Sequence, residues 1–543
     1  MPIRKSKPFR WSPKSCSDTF DSTEIFEGAM AQLANLIPDP TTLNLWVPRP
    51  AAVQKTDFTG FTTPGFVSSC LVVGSKVYGT VASGTFPGFD EPYCYDLAAG
   101  AFIAVTGALA GNVPTSPATT GVWTPPSLAV VGVYVVVCHP GFPNGANVVG
   151  WINISNPAAP VWSAGNTATN ALPSAPVAVA QFNGRAYYLC NPSGAQPAAL
   201  ATDSLDPKTR TNATYILTFD DNQLLTAAAG LPLNNQLGGI VQSLIVFKGA
   251  ANIYQITGDF ASTDTPIAKN ALNVATGTNS PLSICATPKG LAFVAPDGMR
   301  MIDFNANVSD PIGFAGSGVS SPFANSVVPS RIAAACNAVT IAISSQNGAA
   351  LGNPQEEWWY DLTRQVWCGP HTFASSLIQP FGRSFIKTPV GVTASLWQSD
   401  AFTSSSSTYT ENGTALQWTW KTAFFPDQQA MSAYTVTESF VYMALASGGL
   451  GYSVAAQDEN GNVLSTATIG AQGAASLWGT MVWGTGLWGG GINAYNAQRI
   501  NWDKPLTFSR LQVTIQGASA ANVRLGALYG RWQAMGYLPG GLP

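Results

Sequence analysis

The chain has 543 residues, of which 46% are hydrophobic and only 10% charged, with 53 Gly, 39 Pro and a formal net charge of −3. That length exceeds a single hydrophobic core and implies two or three structural regions. The charge balance gives no electrostatic reason for tight nucleic-acid binding, and a charged fraction well below the roughly 25% of ordinary soluble domains implies a surface covered in part by other protein.

The first residues carry Arg4, Lys5, Lys7, Arg10 and Lys14 ahead of the first acid, Asp18, with no hydrophobic segment of the kind a secretory signal needs. Residues 1–20 read as a basic arm, either free in solvent or laid on a neighbour, and the chain is expected to fold in a cytoplasm. Asp21 as N-cap, Glu24 three residues later, and Ile25, Ala29, Leu33 and Leu36 on one face predict a helix that Pro38-Asp39-Pro40 ends. Residues 43–53 then read as extended, because the prolines at 48 and 50 disfavour helix before them. Residues 21–60 are thus expected to lead from the arm into the first large region.

Between residues 61 and 375 the sequence predicts antiparallel sheet made of consecutive hairpins. The run 241–247 stops at Lys248-Gly249, and residues 253–257 resume it before Gly258-Asp259. Residues 291–295 pass through Pro296-Asp297-Gly298 into residues 299–304 in the same style. Such glycines supply the positive φ that short hairpins require. An apolar strand turning at Gly recurs at 72–79, 130–138 and 181–190. Tyr95-Asp96 before Phe102 and Tyr360-Asp361 before Trp367 form a second recurrence, each ring six residues after the Asp. Trp151 with Trp162, and Phe219-Asp220 with Leu225, are looser copies. A period of roughly 40 to 50 residues with these features predicts a β-propeller, of about six blades. Asp96, Gly258, Asp259, Asp297, Gly298 and Asp361 are its candidate turn residues.

From about Ser375 the texture changes, and residues 376–543 read as a separate β-rich region in which 439–446 and 511–515 are strands. There Trp478-Gly479, Trp483-Gly484 and Trp488-Gly489 recur every five residues, a period that fits neither strand nor helix. Bending at each Gly would set each indole into a pocket, of this chain or of an adjacent subunit.

Chemistry is sparse. The eight cysteines lack paired spacing, and Cys70, Cys138, Cys190, Cys285 and Cys336 sit in apolar strand-like runs, as buried free thiols do. His139 and His371 are the only histidines, too few for a zinc site or for a triad built on a nucleophile elbow. No phosphate-cradling or dinucleotide-binding glycine motif is present. Glu356-Glu357 and Asp220-Asp221 are carboxylate pairs by type, but adjacent strand residues point to opposite faces and would not flank one bond. No catalytic residue, cofactor or metal is therefore expected, and no enzymatic activity. The longest apolar run, 128–138, is too short for a transmembrane helix, which needs about 20 residues.

Three stretches, in order along the chain, resemble the tail nozzle proteins of short-tailed bacteriophages. The first is Trp46 with Arg49-Pro50, after the predicted helix, although Ala51 stands where a Gly is commoner. The second is Ile253-Tyr254-Gln255-Ile256-Thr257-Gly258-Asp259 with Gly277-Thr278, Ser280-Pro281, Lys289-Gly290-Leu291 and Asp297-Gly298-Met299-Arg300. The third is the Trp-Gly series. The resemblance implies a propeller plus a platform built partly from both chain ends, and a homo-oligomeric, hexameric ring in the virion tail below the portal and adaptor proteins. It further implies tail fibres as neighbours and a channel through which double-stranded DNA passes without tight binding. Trp46, Arg49, Pro50, Trp478, Trp483 and Trp488 become structural or subunit-interface candidates. Assembly would take place in the bacterial host cytoplasm. The rival expectation is a receptor- or glycan-binding propeller of a tail fibre or surface protein, which would expose rings such as Trp358 and Trp359 in a pocket.

Overall fold

The computed structural model describes residues 7–11, 15–16, 29–39, 45–61, 64–83, 90–108, 113–114, 125–142, 147–219, 223–234, 240–272, 274–313, 332–346, 355–373, 375–389, 394–399, 410–411, 414–425, 432–445, 451–469, 496–519 and 523–537. Glycine-turned hairpins build its middle. Gly74, Gly132, Gly184 and Gly249 all hold φ between 57° and 72° at hairpin tips, where an L side chain would be strained. The strands they join pair into seven small antiparallel sheets rather than six.

Blade one is Pro64–Val73, Lys76–Ser83, Asp90–Asp96 and Ala101–Ile103. Blade two is Ser127–Val131, Tyr134–Cys138, Val149–Asn153 and Val161–Gly165. Blade three is Ala178–Phe182, Arg185–Cys190, Ala198–Ala201 and Ile216–Thr218. Blade four is Ala227–Asn234, Ile240–Lys248, Asn252–Thr257 and Ala268–Ala271. Blade five has three strands, Ile284–Thr287, Gly290–Ala295 and Gly298–Ile302. Blade six is Ala333–Cys336, Thr340–Gln346, Gln355–Asp361 and Val366–His371. Blade seven is Ser375–Phe381, Ser384–Pro389 and Ser395–Ser399, completed by Ala52–Asp57 from the other side of the ring's sequence.

Consecutive blades touch, and blade seven touches blade one, so the sheets close into a β-propeller. The apolar strand runs follow from that closure. Val135 and Val137 pack with Tyr78 and Cys94 of blade one, whereas Val136 and Cys138 pack with Tyr188 and Leu200 of blade three. Alternate residues of one strand therefore bury against opposite neighbours, and no face is left for polar residues. The first strands are rich in small side chains, as in Ala-Ala-Ala-Cys at 333–336. Small residues let the strands converge at the centre. Seven cysteines, among them Cys70, Cys138, Cys190, Cys285 and Cys336, are buried free thiols. Burial raises the thiol of Cys70 to about 12, which makes it an inert apolar filler.

Both chain ends form two further sheets. One orders Leu36–Pro38, Trp46–Pro48, Val523–Tyr537, Ser432–Leu445 and Asn496–Arg499, with Lys7–Trp11 and Thr507–Phe508 at its sides. The other orders Ser15–Cys16, Ala29–Ala34, Thr414–Thr422, Gln512–Ser519, Tyr452–Gln457 and Val463–Ile469. One apolar cluster joins this platform to blades five, six and seven, with Met30, Leu33 and Trp420 beside Val294, Trp358 and Phe385.

Three expectations are corrected. The stretch predicted as helix from Asp21 is strand over Ala29–Ala34 and Leu36–Pro38. A β-bulge between Met30 and Gln32 adds a residue, so Met30 and Leu33 both turn to the core. Of the residues that suggested a helix, Leu33 and Leu36 are both wholly buried three apart because Asn35, at φ 56°, ends one strand and begins the next between them. The described part of the basic arm, Lys7–Trp11, pairs with residues 528–532 of this chain itself. The propeller runs past residue 375 to Ser399 and takes its last strand from residues 52–57, so the boundaries at 60/61 and 375/376 cut through blade seven. Among the described residues no helix is long and apolar enough to cross a membrane.

Candidate functional site

The predicted turn residues sit at hairpin and loop corners, where their carboxylates cap the chain. Asp96 Oδ1 accepts from the N–H groups of Ala98 at 2.9 Å and Ala99 at 3.1 Å, and its carboxylate pairs with Lys76. The hydrogen bond from Lys76 leads the causes that hold Asp96 below the usual carboxylate range. Asp361 does the same for the N–H groups of Thr363 and Arg364, both at 2.8 Å. The recurring rings face each other across adjacent strands of one blade, Phe102 opposite Tyr95 and Trp367 opposite Tyr360, the second pair at 4.9 Å between centroids. Asp259 Oδ1 accepts from Ala261 N–H at 2.9 Å, and Asp297 holds Arg300. Gly298 adopts φ 130° and Gly258 φ 83°. A Cβ on Gly258 would lie 2.2 Å from the carbonyl oxygen of Pro266. Gly258→Ala is accordingly expected to cost about 1–3 kcal/mol, read as a lowered denaturant midpoint. These residues are scattered over four blades and make no common site.

Trp46, Arg49 and Pro50 do converge, at the junction where the platform meets blades six and seven. Trp46 is 3% exposed and pairs with Pro38 and Leu525. Arg49 is wholly buried. Its Nε donates to Asn35 Oδ1 at 2.8 Å, and one terminal nitrogen reaches Glu411 at 2.7 Å and the Pro50 carbonyl at 3.1 Å. Asn35, held at φ 56°, ties the platform to the ring. Its N–H donates to His371 Nδ1 at 3.0 Å, and its amide reaches Thr372 Oγ1 at 2.9 Å and the Gln417 carbonyl at 2.6 Å.

Beneath this knot lies an ion pair between Glu357 of blade six and Lys387 of blade seven, both 0% exposed. Glu357 also accepts from Trp359 Nε1 at 2.6 Å and from the Ser375 hydroxyl at 3.2 Å. The Lys387 ammonium stands 5.2 Å from the Trp359 ring centroid. Burial pushes the Lys387 pKa down, opposed chiefly by Glu357. A buried charge is tolerated only when paired and hydrogen-bonded, and here both conditions are met.

His371 is the titratable centre of the knot. Burial, then the charges of Arg49 and Lys387, push its pKa well below 6.5. Because Nδ1 accepts from Asn35, the neutral ring carries its proton on Nε2, and protonating Nδ1 would set two N–H groups against each other. The unfolded chain takes up this proton below pH 6.5 and the folded chain does not, so stability is complete above pH 6.5 and falls as pH drops. The slope is expected to steepen as pH falls below 6.5, towards a limit of about 1.4 kcal/mol per pH unit once the unfolded ring is fully protonated. His371→Gln should flatten that part of the stability profile, as urea denaturation between pH 7 and pH 5 would record.

A cavity of about 490 Å³ opens beside the knot, lined by Ile37, Pro38 and Pro50 of the N-terminal segment and by residues of blades six and seven, including Trp359, Asp361, Arg364, Arg383, Phe385 and Ser399. Sequence reasoning singled out Arg49 and Pro50 as interface candidates and Asp361 as a turn residue without bringing them together, and it gave no role here to Asn35, His371 or the Glu357–Lys387 pair. A usable signal was present: in a chain so poor in charge, Lys387 interrupts the apolar run Ser-Phe-Ile-Lys-Thr-Pro. Glu357, weighed as one of a carboxylate pair, is a buried structural group instead. Trp358 and Trp359 are 2% and 5% exposed, so neither forms the open aromatic platform that glycan binding through them requires. Trp478, Trp483, Trp488 and Asp220 lie outside the described residues. Among the described residues no cluster of three or more His, Cys, Asp or Glu stands ready for a metal.

No known protein family matches the chain, and no curated protein matches it. Solved structures show weak likeness. Raptor from Chaetomium thermophilum is similar at TM-score 0.37 and 10% identity, over 65% of this chain and 29% of that one. The Dos1 propeller is similar at TM-score 0.36 and 10% identity, over 65% and 95%. The SapL1 lectin, solved with α-methyl fucoside, is similar at TM-score 0.31 and 14% identity, over 56% and 95%. The matched part thus spans less than a third of the Raptor chain. The likenesses are too slight to argue from, and the β-propeller is read from the seven sheets and their closure.

Proposed function

We propose that this chain is a subunit of the tail nozzle of a short-tailed bacteriophage, a structural virion protein that forms a hexameric ring below the portal and adaptor and lines the path of the genome into the host. The observation that carries this reading is the platform: two sheets woven from both chain ends and tied to the propeller through Trp46 and Arg49-Pro50. That arrangement is what the resemblance to nozzle proteins implies, and the tying residues belong to one of the stretches that carry it.

Two physical features support the same role. A charged fraction of 10% and a hydrophobic fraction of 46% suit a permanent assembly, because obligate interfaces resemble a domain core cut in half. A conduit must also let DNA slide, and a weakly acidic protein releases few counterions from phosphates. The channel is accordingly expected to lack a continuous Arg/Lys stripe, and tail fibres are expected to attach outside it. The role needs no catalysis and no cofactor.

Native mass spectrometry of the full chain, alone and with the adaptor of the same phage, tests the assembly. A hexamer, formed alone or on the adaptor, is the expected species. A chain that stays monomeric in both conditions, or an assembled ring whose bore carries a continuous basic band, would count against the reading.

A further inference from the structure

The cavity beside the junction has features that the role of a structural ring subunit does not use. Its volume of about 490 Å³ falls inside the range of roughly 300–1,000 Å³ typical of small-molecule sites. Its lining is of two chemical kinds. Ile37, Pro38, Pro50, Trp359 and Phe385 contribute apolar lining, and two further lining residues, Arg364 and Arg383, carry guanidinium groups. These walls come from the N-terminal segment and from two blades.

The two arginines differ. Arg364 is committed, pairing with Asp361 Oδ2 at 3.1 Å and donating to the Asp39 backbone carbonyl. Asp361 in turn is 5% exposed and spends its other oxygen on two backbone N–H groups. Arg383 follows the turn glycine Gly382 and is exposed; among the described residues it has no ion pair. With Arg364 and Asp361 cancelling, the cavity lining carries one uncommitted positive charge among apolar residues.

We propose that this cavity binds a small organic anion, a single carboxylate or phosphate on an apolar body, with Arg383 holding the anionic group and the apolar lining residues Ile37, Pro38 and Pro50 of the N-terminal segment against the body. A planar guanidinium offers paired N–H donors that match a carboxylate or a phosphate. A neutral ligand would leave that charge unused, and a polyanion would meet the Asp361 carboxylate. The inference stands apart from the nozzle reading, since the site lies within one chain and is complete without a ring.

The test uses 2-naphthoate as the probe, with saturation-transfer NMR and a fluorescence titration on the full chain. Saturable binding at one site per chain is expected, weakened about tenfold or more by Arg383→Gln, which removes one charge-assisted contact. Val339→Trp, a rim position 45% exposed, should abolish binding by filling the mouth. The neutral analogue 2-naphthalenemethanol should bind about tenfold more weakly than the acid. Replacing 2-naphthoate with 2-naphthyl phosphate separates the two anion classes, and saturable binding of either one supports the proposal. It is overturned if neither probe saturates up to millimolar concentration, or if Arg383→Gln and the neutral analogue leave the affinity unchanged. Both substitutions are at surface positions, and matched unfolding midpoints would show that each variant is folded.

Discussion

Lys387→Met is expected to destabilise the protein by about 3–5 kcal/mol, the largest effect of any single substitution at the junction. The reason is the carboxylate left behind. Glu357 is 0% exposed, and without the ammonium it keeps only Trp359 Nε1 and the Ser375 hydroxyl as side-chain donors. The loss should appear as a lower urea midpoint with little change in m-value. Glu357→Gln combined with Lys387→Met should recover most of it, because an uncharged pair has no buried charge to neutralise. A single-variant loss below about 1 kcal/mol would mean that water reaches the carboxylate. Since the pair joins blade six to blade seven, the single variant should also loosen the ring at that seam.

Arg49→Ala is expected to cost about 3 kcal/mol through two charge-assisted contacts, to Asn35 and to Glu411, together with the buried stem of the side chain. Glu411 is 18% exposed, so water softens its loss and keeps the effect below that of Lys387→Met. The local consequence is more telling. Arg49 leads directly into Ala52–Asp57, the strand that completes blade seven. Lys55 is already exposed in that strand, so trypsin is limited by the strand's backbone pairing, and freeing the strand should open that backbone to cleavage. Cleavage after Lys55 that is faster in the variant, under conditions where the wild type resists, is the expected result. Unchanged cleavage would show that the strand is held by its ladder alone.

The hairpins were legible because the turns announce themselves. Gly74, Gly132, Gly184 and Gly249 mark turns in the sequence and hold positive φ in the structure. The apolar runs between them were long because each strand is buried on both faces. The blade count was not legible, since blade seven takes one strand from residues 52–57 and three from beyond residue 374. No period along the chain can show such a closure. The false helix has an equally local cause, the turn at Asn35 that buries Leu33 and Leu36 three residues apart in consecutive strands. At the junction, Arg49 and Pro50 stood out through a resemblance, whereas Glu357 and Lys387 are 30 residues apart on adjacent blades. Pairing across a blade seam leaves no signature within either strand. Asn35 was hidden by the helix expectation, which made it one polar residue among several.

The proposal that this chain is a nozzle subunit is tested most directly by electron microscopy of particles from its source lysate, labelled with gold-conjugated antibody to the chain. Gold confined to the short tail below one capsid vertex is the predicted result. Gold on fibres, or particles left bare by an antibody that binds the assembled protein in a control, would contradict it.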